Sequence, residues 1–130
     1  MPYEARWLKT KRVILERLYG NVTLDEVRHV NHELMSLYEQ GIAPIHLICD
    51  LTGIETYPTG VADVRHTNNS LMTKDTGWVI IVTSDNPAIR FAAMAVSHVI
   101  LVGVAQFRIF ETFEPALAFL KEQEPDIFKK

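Results

Sequence analysis

Cys49 is the only cysteine in the chain, so no internal disulfide can hold the fold together. That suits a reducing compartment, and the expected location is cytoplasmic. Positive charge is not in excess: 13 Lys and Arg face 16 Asp and Glu, for a net charge of −3. The basic residues are scattered, so the cationic face that a phosphate backbone requires is missing, and nucleic acid is not an expected partner. The first residues, MPYEARWLKTKRVI, mix charges into apolar positions and hold no signal-peptide core. The longest apolar run, Phe91–Ala105, is interrupted by Ser97, His98 and Gly103. It is shorter than the roughly 20 residues of a membrane span, so membrane insertion is not expected. The glycines build neither a phosphate loop nor a dinucleotide fingerprint, and Cys-x-x-Cys and nucleophile-elbow motifs are absent. No cofactor, no metal and no enzymatic activity are expected.

The 130 residues, 48% hydrophobic and 22% charged, suit one soluble domain with an ordinary core. Tyr3–Leu8 and Val13–Tyr19 read as two strands joined by the charged turn Lys9–Arg12, hence an antiparallel hairpin. Tyr19-Gly20-Asn21 breaks that pattern. Thr23 and Glu26 form a capping box that starts a helix running to about Gln40, with Gly41 as its left-handed stop. Its apolar side gathers Leu24, Val27, Val30, Leu34, Met35, Leu37 and Tyr38. Ile45–Cys49 is a short interior strand bounded by Pro44 and Asp50, and a polar corner follows at Asp50–Gly53. A helix is expected from about Gly60 to Met72, a turn at Thr73–Gly77, and a strand at Trp78–Thr83. Asn86 caps, and Pro87 opens, an almost wholly apolar helix to about Val102. Phe107–Phe110 is a strand, and Thr112 caps a last helix that buries Ala116, Leu117, Phe119 and Leu120. The tail from Glu124 reads as frayed, with Ile127 and Phe128 able to dock. The predicted architecture is α/β, with a mostly parallel five-stranded sheet, an antiparallel N-terminal hairpin and about four helices.

Ligands and partners of open α/β sheets meet the loops at the carboxyl ends of parallel strands. The segment Asp50–Gly60 falls there and is rich in polar groups: Asp50, Thr52, Glu55, Thr56, Tyr57 and Thr59. Thr59 also stands at a helix start, where free N–H groups favour an anion. The simpler reading has Asp50 and Thr52 closing a turn and Thr59 capping the helix. His66 lies close to this segment, and Asn68 interrupts the apolar stripe of its helix, where a polar group needs a partner. An enzyme built on His66 and Asp50 lacks an identifiable nucleophile–base pair. His29 and His32 share a helix face at ligand spacing, but that face is the solvent side. His46, His98 and Cys49 read as core or interface residues.

Three stretches, ICDLTGIETYPTGV, VIIVTSDNPAIRF and FRIFETFEPALAFL, together with the order of elements, resemble the STAS superfamily. That superfamily holds the anti-sigma-factor-antagonist-like proteins and has been compared with the CRAL-TRIO lipid carriers. The resemblance spans roughly Val13 to Leu120 and implies a STAS-like fold. It also implies a regulatory module that binds a protein partner. In the signalling branch this loop reads Asp-Ser-Ser-Gly, and its first Ser is phosphorylated. Alignment on Gly60 places Tyr57 at the Asp, Pro58 at the phosphoacceptor and Thr59 at the second Ser. Pro58 has no hydroxyl, so the usual switch is not implied, and Thr59 is the remaining phosphorylation candidate.

Two readings stand. One is a partner-binding module using Asp50, Thr52, Tyr57, Thr59, Gly60, His66 and Asn68. The other is a carrier of a small apolar, lipid-like ligand enclosed by the helices from Gly60 and Pro87. Homodimerisation through apolar surface is a further expectation.

Overall fold

Apolar residues flanking the charged Lys9–Arg12 turn fold the N-terminus into a hairpin. A computed structural model describes residues 3–56, 76–83, 85–91, 93–94 and 106–128. In it β1 (Tyr3–Lys9) pairs antiparallel with β2 (Val13–Asn21). The turn closes with the Arg12 N–H donating to the Lys9 carbonyl at 2.9 Å. Thr23 then caps α1 (Leu24–Gln40), its Oγ1 accepting the Glu26 N–H at 3.2 Å. The reciprocal bond differs from an ordinary capping box: the Thr23 hydroxyl donates to the Glu26 carboxylate at 3.0 Å.

The remaining strands are β3 (Ile45–Thr56), β4 (Thr76–Val82) and β5 (Gln106–Phe110), followed by α2 (Phe113–Gln123) and a 3-10 turn at Pro125–Phe128. The sheet runs β1-β2-β3-β4-β5, and all pairs from β2 onward are parallel. The single α/β domain with its mixed five-stranded sheet is therefore the predicted architecture.

Spatial order equals chain order, so successive crossovers step in one direction and right-handedness puts their helices on one face. Accordingly α1 and the helical residues 87–91 and 93–94 bury Val27, Val30, Leu34, Ile89 and Ala93 over Ile14, Leu47, Val79 and Ile81. The opposite face is left to the C-terminus. There Ala116 and Leu120 of α2 seal Val13, Leu15, Ile48, Ile80 and Val82. Ile127 and Phe128 pack against the rim of that layer, where the sequence reading has a frayed tail. Lys9 and Lys121 lie over the Phe128 ring and Arg108 over Phe119, so cationic stems cover the aromatic margin.

Several boundaries differ from expectation, each for a local reason. Gly41 is extended, not left-handed, at φ −86° and ψ 178°. Its glycine is explained by packing, since a Cβ there would lie 2.5 Å from the Ile45 Cδ1 atom and 2.9 Å from Trp7. On α1, Met35 is exposed and Asn31 is buried. Met35 stands roughly 80° around the helix from Val27, at the margin of the buried stripe. Thr76 and Gly77 belong to β4 and not to a turn, because Thr76 pairs with Ile45 in the β3–β4 ladder. Thr112 occupies the cap position of α2 in extended conformation, yet its side chain makes no capping bond. The Asn86 cap is as expected: its Oδ1 accepts the Ala88 N–H at 2.9 Å, leaving Pro87 at the first turn. The helix expected over Gly60–Met72 lies outside the described residues, as does most of Pro87–Val102 beyond Met94. The described part of the latter is not buried all round, since Phe91 is 74% exposed.

Leu120 is fully buried at the centre of the α2 layer. Leu120→Ala should lower the unfolding free energy by about 3 kcal/mol in urea titrations. Met35→Ala, on the exposed margin of α1, should change it by less than about 0.5 kcal/mol.

Candidate functional site

The largest departure from the sequence reading is at the candidate site itself. β3 does not end at Cys49; it continues through Asp50–Thr56 as strand, so the expected corner at Asp50–Gly53 is absent. What permits this is the matching length of β2. Tyr19 pairs with Gly53, Gly20 with Ile54 and Asn21 with Thr56, and the Thr56 hydroxyl donates to Asn21 Oδ1 at 2.9 Å. Two register shifts, one between Arg17 and Tyr19 and one between Gly20 and Asn21, each give β3 an extra residue. Pairing with β4 stops at Asp50↔Val82. The last six residues of β3 thus run on past β4 at the carboxyl end of the parallel strands, with β2 as their paired neighbour among the described residues.

Asp50 organises the first bulge. It is 8% exposed and faces the α2 side of the sheet. Its Oδ1 accepts the Thr52 N–H at 2.9 Å and the Thr52 hydroxyl at 2.7 Å. Its Oδ2 lies 3.4 Å from the Nε of Arg17, whose guanidinium sits over the Phe113 ring at 5.7 Å. Both carboxylate oxygens are therefore engaged, and the group holds backbone geometry instead of presenting a free base. Arg17 is 38% exposed by side chain. Alongside, the Thr83 N–H and hydroxyl both donate to the Phe110 carbonyl, at 2.8 and 3.3 Å. Arg90 reaches Glu111 at 3.5 Å. These contacts tie the exit of β2 to β3, and the exit of β4 to that of β5.

Of the candidate residues, Asp50 and Thr52 come together as neighbours in a direct hydrogen-bond pair. Tyr57, Thr59, Gly60, His66 and Asn68 lie outside the described residues, as do Pro58 and His98. Arg17 was not singled out from sequence. Its signal is register: one residue past Glu16 on β2, it falls opposite Asp50 on β3.

A second polar site lies on the α1 face. Alternation along β2 puts Glu16 between Ile14 and Leu18, and it is 5% exposed. The Cys49 thiol, opposite it on β3, donates to Glu16 Oε1 at 2.9 Å. Burial pushes the Glu16 carboxyl above the usual carboxylate range, opposed by the thiol bond. The Cys49 thiol is likewise pushed well up, first by burial and then by the neighbouring Glu16, which makes it a poor nucleophile. Tyr38 of α1 is raised to about 12 by burial, with Thr76 beside its hydroxyl pulling the other way. This Glu16–Cys49 pair is a buried polar staple between β2 and β3, and Glu16 was not singled out from sequence. On the solvent side of α1, His29 and His32 are both exposed.

Among the described residues no helix is long and apolar enough to cross a membrane. The topology, a hairpin followed by parallel strands in chain order, is that of a SpoIIAA-like α/β fold. Solved structures share this fold. An uncharacterized protein of the DUF3478 family with a SpoIIAA-like fold, from Shewanella loihica, superposes with a TM-score of 0.62. It is 15% identical, and the match covers 91% of each chain. An anti-sigma factor antagonist from Mycobacterium paratuberculosis superposes with a TM-score of 0.56, also at 15% identity, over 92% of this chain and 94% of that one. At this identity the likeness establishes the fold. No protein-family model and no curated protein matches the sequence.

Because folded Glu16 keeps its proton above the ordinary value of 4.5, the unfolded chain releases it first as pH rises. Stability from this group is complete below that value and is lost as pH rises through the folded one. Glu16→Gln keeps an acceptor for the Cys49 thiol and removes the titration. Its urea midpoint should decline less than the wild type's between pH 4.5 and 8.

Proposed function

We propose that this chain is a non-catalytic regulatory module of STAS type, acting in the cytoplasm. It would present the segment from Asp50 to Gly60, with His66 and Asn68 beyond it, to a protein partner. The observation that carries this reading is the extension of β3 past β4. It carries β3 along β2 beyond β4 with Thr52, Gly53, Glu55 and Thr56 exposed, and the Asp50 contacts with Thr52 and Arg17 stiffen the start of this stretch. A surface offered to another protein gains affinity when its backbone is ordered beforehand. The mycobacterial structural neighbour is an anti-sigma factor antagonist, which supports protein binding as the class of function. Pro58 at the phosphoacceptor position supports a module without the serine switch, and Thr59 is the residue proposed to carry any modification.

The apolar helix after Asn86 supports a second, separate reading. Phe91 and Met94, three residues apart, are exposed on it. An apolar face of this kind suits a second copy of the chain or a small apolar ligand.

Affinity capture from a lysate tests the first reading. Thr59→Glu should weaken or strengthen retention of the captured partner about tenfold, the effect of roughly 1.4 kcal/mol. Unchanged capture by both Thr59→Glu and Thr59→Ala would remove the segment from the account. For the second, native mass spectrometry of purified protein should show a dimer or a bound apolar mass. A bare monomer in that spectrum argues against it.

A further inference from the structure

At the amino end of the sheet, away from the proposed partner surface, one histidine joins four parts of the fold. His46 is 1% exposed on the α2 face of β3. Its backbone N–H donates to the Arg12 carbonyl of the hairpin turn at 2.9 Å. Its ring Nδ1 accepts the backbone N–H of Trp78, near the start of β4, at 2.8 Å. Its Nε2 lies 3.6 Å from Oε1 of Glu124, the residue that ends α2. Gly77 makes room for the ring, because a Cβ there would fall 2.5 Å from Nδ1.

The Trp78 bond dictates the tautomer. A backbone N–H only donates, so Nδ1 must be bare and the ring proton must sit on Nε2, toward Glu124. A second proton could bind only at Nδ1, where it would face the Trp78 N–H, donor against donor. Gly77 packs directly against the Nδ1 edge of the ring, and the ring is 1% exposed. We propose that His46 is an acid-operated latch: neutral, its ring ties the start of β4 to β3, and on protonation it releases the start of β4.

The charges around it set the working range. Among the described residues Arg12 from the hairpin turn opposes the cation, Glu124 from α2 favours it, and β4 contributes no charged side chain. Burial is the largest influence and holds the imidazole below its ordinary value of 6.5. The sign follows: the latch is fully closed above that value. Its contribution is lost as pH falls from there through the folded value.

Amide hydrogen exchange and ring NMR signals, followed from pH 7.5 to 4.5 and corrected for intrinsic exchange, test this. Protection of the Trp78 amide should fall roughly tenfold per pH unit once His46 begins to protonate, while far-UV circular dichroism stays native. In His46→Asn, whose Oδ1 replaces the Nδ1 acceptor without titrating, that protection should not vary with pH. The same acid-dependent loss in His46→Asn would overturn the latch. So would a protonated His46 ring beside a still-protected Trp78 amide. Should the Asn variant fail to fold, Glu124→Gln decides: it removes the charge that favours the cation, so release should move to lower pH. An unmoved midpoint refutes the proposal.

Discussion

A strand in the middle of a parallel sheet has no solvent face, and β3 is the strand on which this requirement falls hardest. Ile45, Leu47 and Leu51 fill the α1 layer, while Ile48 fills the α2 layer between Leu15 and Ile80. Every residue of β3 from Ile45 to Leu51 is buried or half-buried. Its polar residues must therefore find partners inside the protein. His46 takes a backbone N–H and Cys49 gives its thiol to Glu16, while Asp50 binds Thr52 and Arg17. The polar chemistry of the domain is largely the set of bonds that lets this strand be central.

Much of that arrangement was legible in the residues. Runs such as WVIIVT and the 3.6-residue period of α1 specify elements whose partners hardly matter, so order, type and sheet class followed directly. The β3 extension was hidden for a different reason. Asp50–Gly53 and Tyr19-Gly20-Asn21 each look like chain breakers alone. Set in register against each other they complete a ladder, with two bulges absorbing the mismatch in length. Local propensity cannot report a bond between two weak segments more than thirty residues apart. Likewise Gly41 and Gly77 look like turn residues, but a side chain at either would collide with Ile45 or His46. At the candidate site, sequence found Asp50 and Thr52 and missed Arg17. The first two are two residues apart in the chain, whereas Arg17 joins them only through strand register.

The two faces of the sheet are built differently. Among the described residues α1 covers one face as the connection between β2 and β3, and it is fixed at both ends by those strands. The α2 face is closed by a terminal helix held at one end, and its margins depend on Lys9, Arg17, Arg108 and Lys121 lying across Phe128, Phe113 and Phe119. Stems of this kind shield apolar rings while keeping their charges in water. They add little energy singly and compensate for a helix too narrow to span five strands.

Strand order identical to chain order has a consequence for biosynthesis. As the chain leaves the ribosome, each new strand can join the edge of a sheet already made, with no rearrangement of earlier pairs. The α1 face gains cover from α1 early in that growth. The other face does not: Val13, Leu15, Ile48, Ile80 and Val82 wait for Ala116 and Leu120. An apolar layer spanning three strands thus stays bare until α2 has been made. During that interval the nascent chain is at its most adhesive, and a chaperone would meet it by the surface that the finished protein hides.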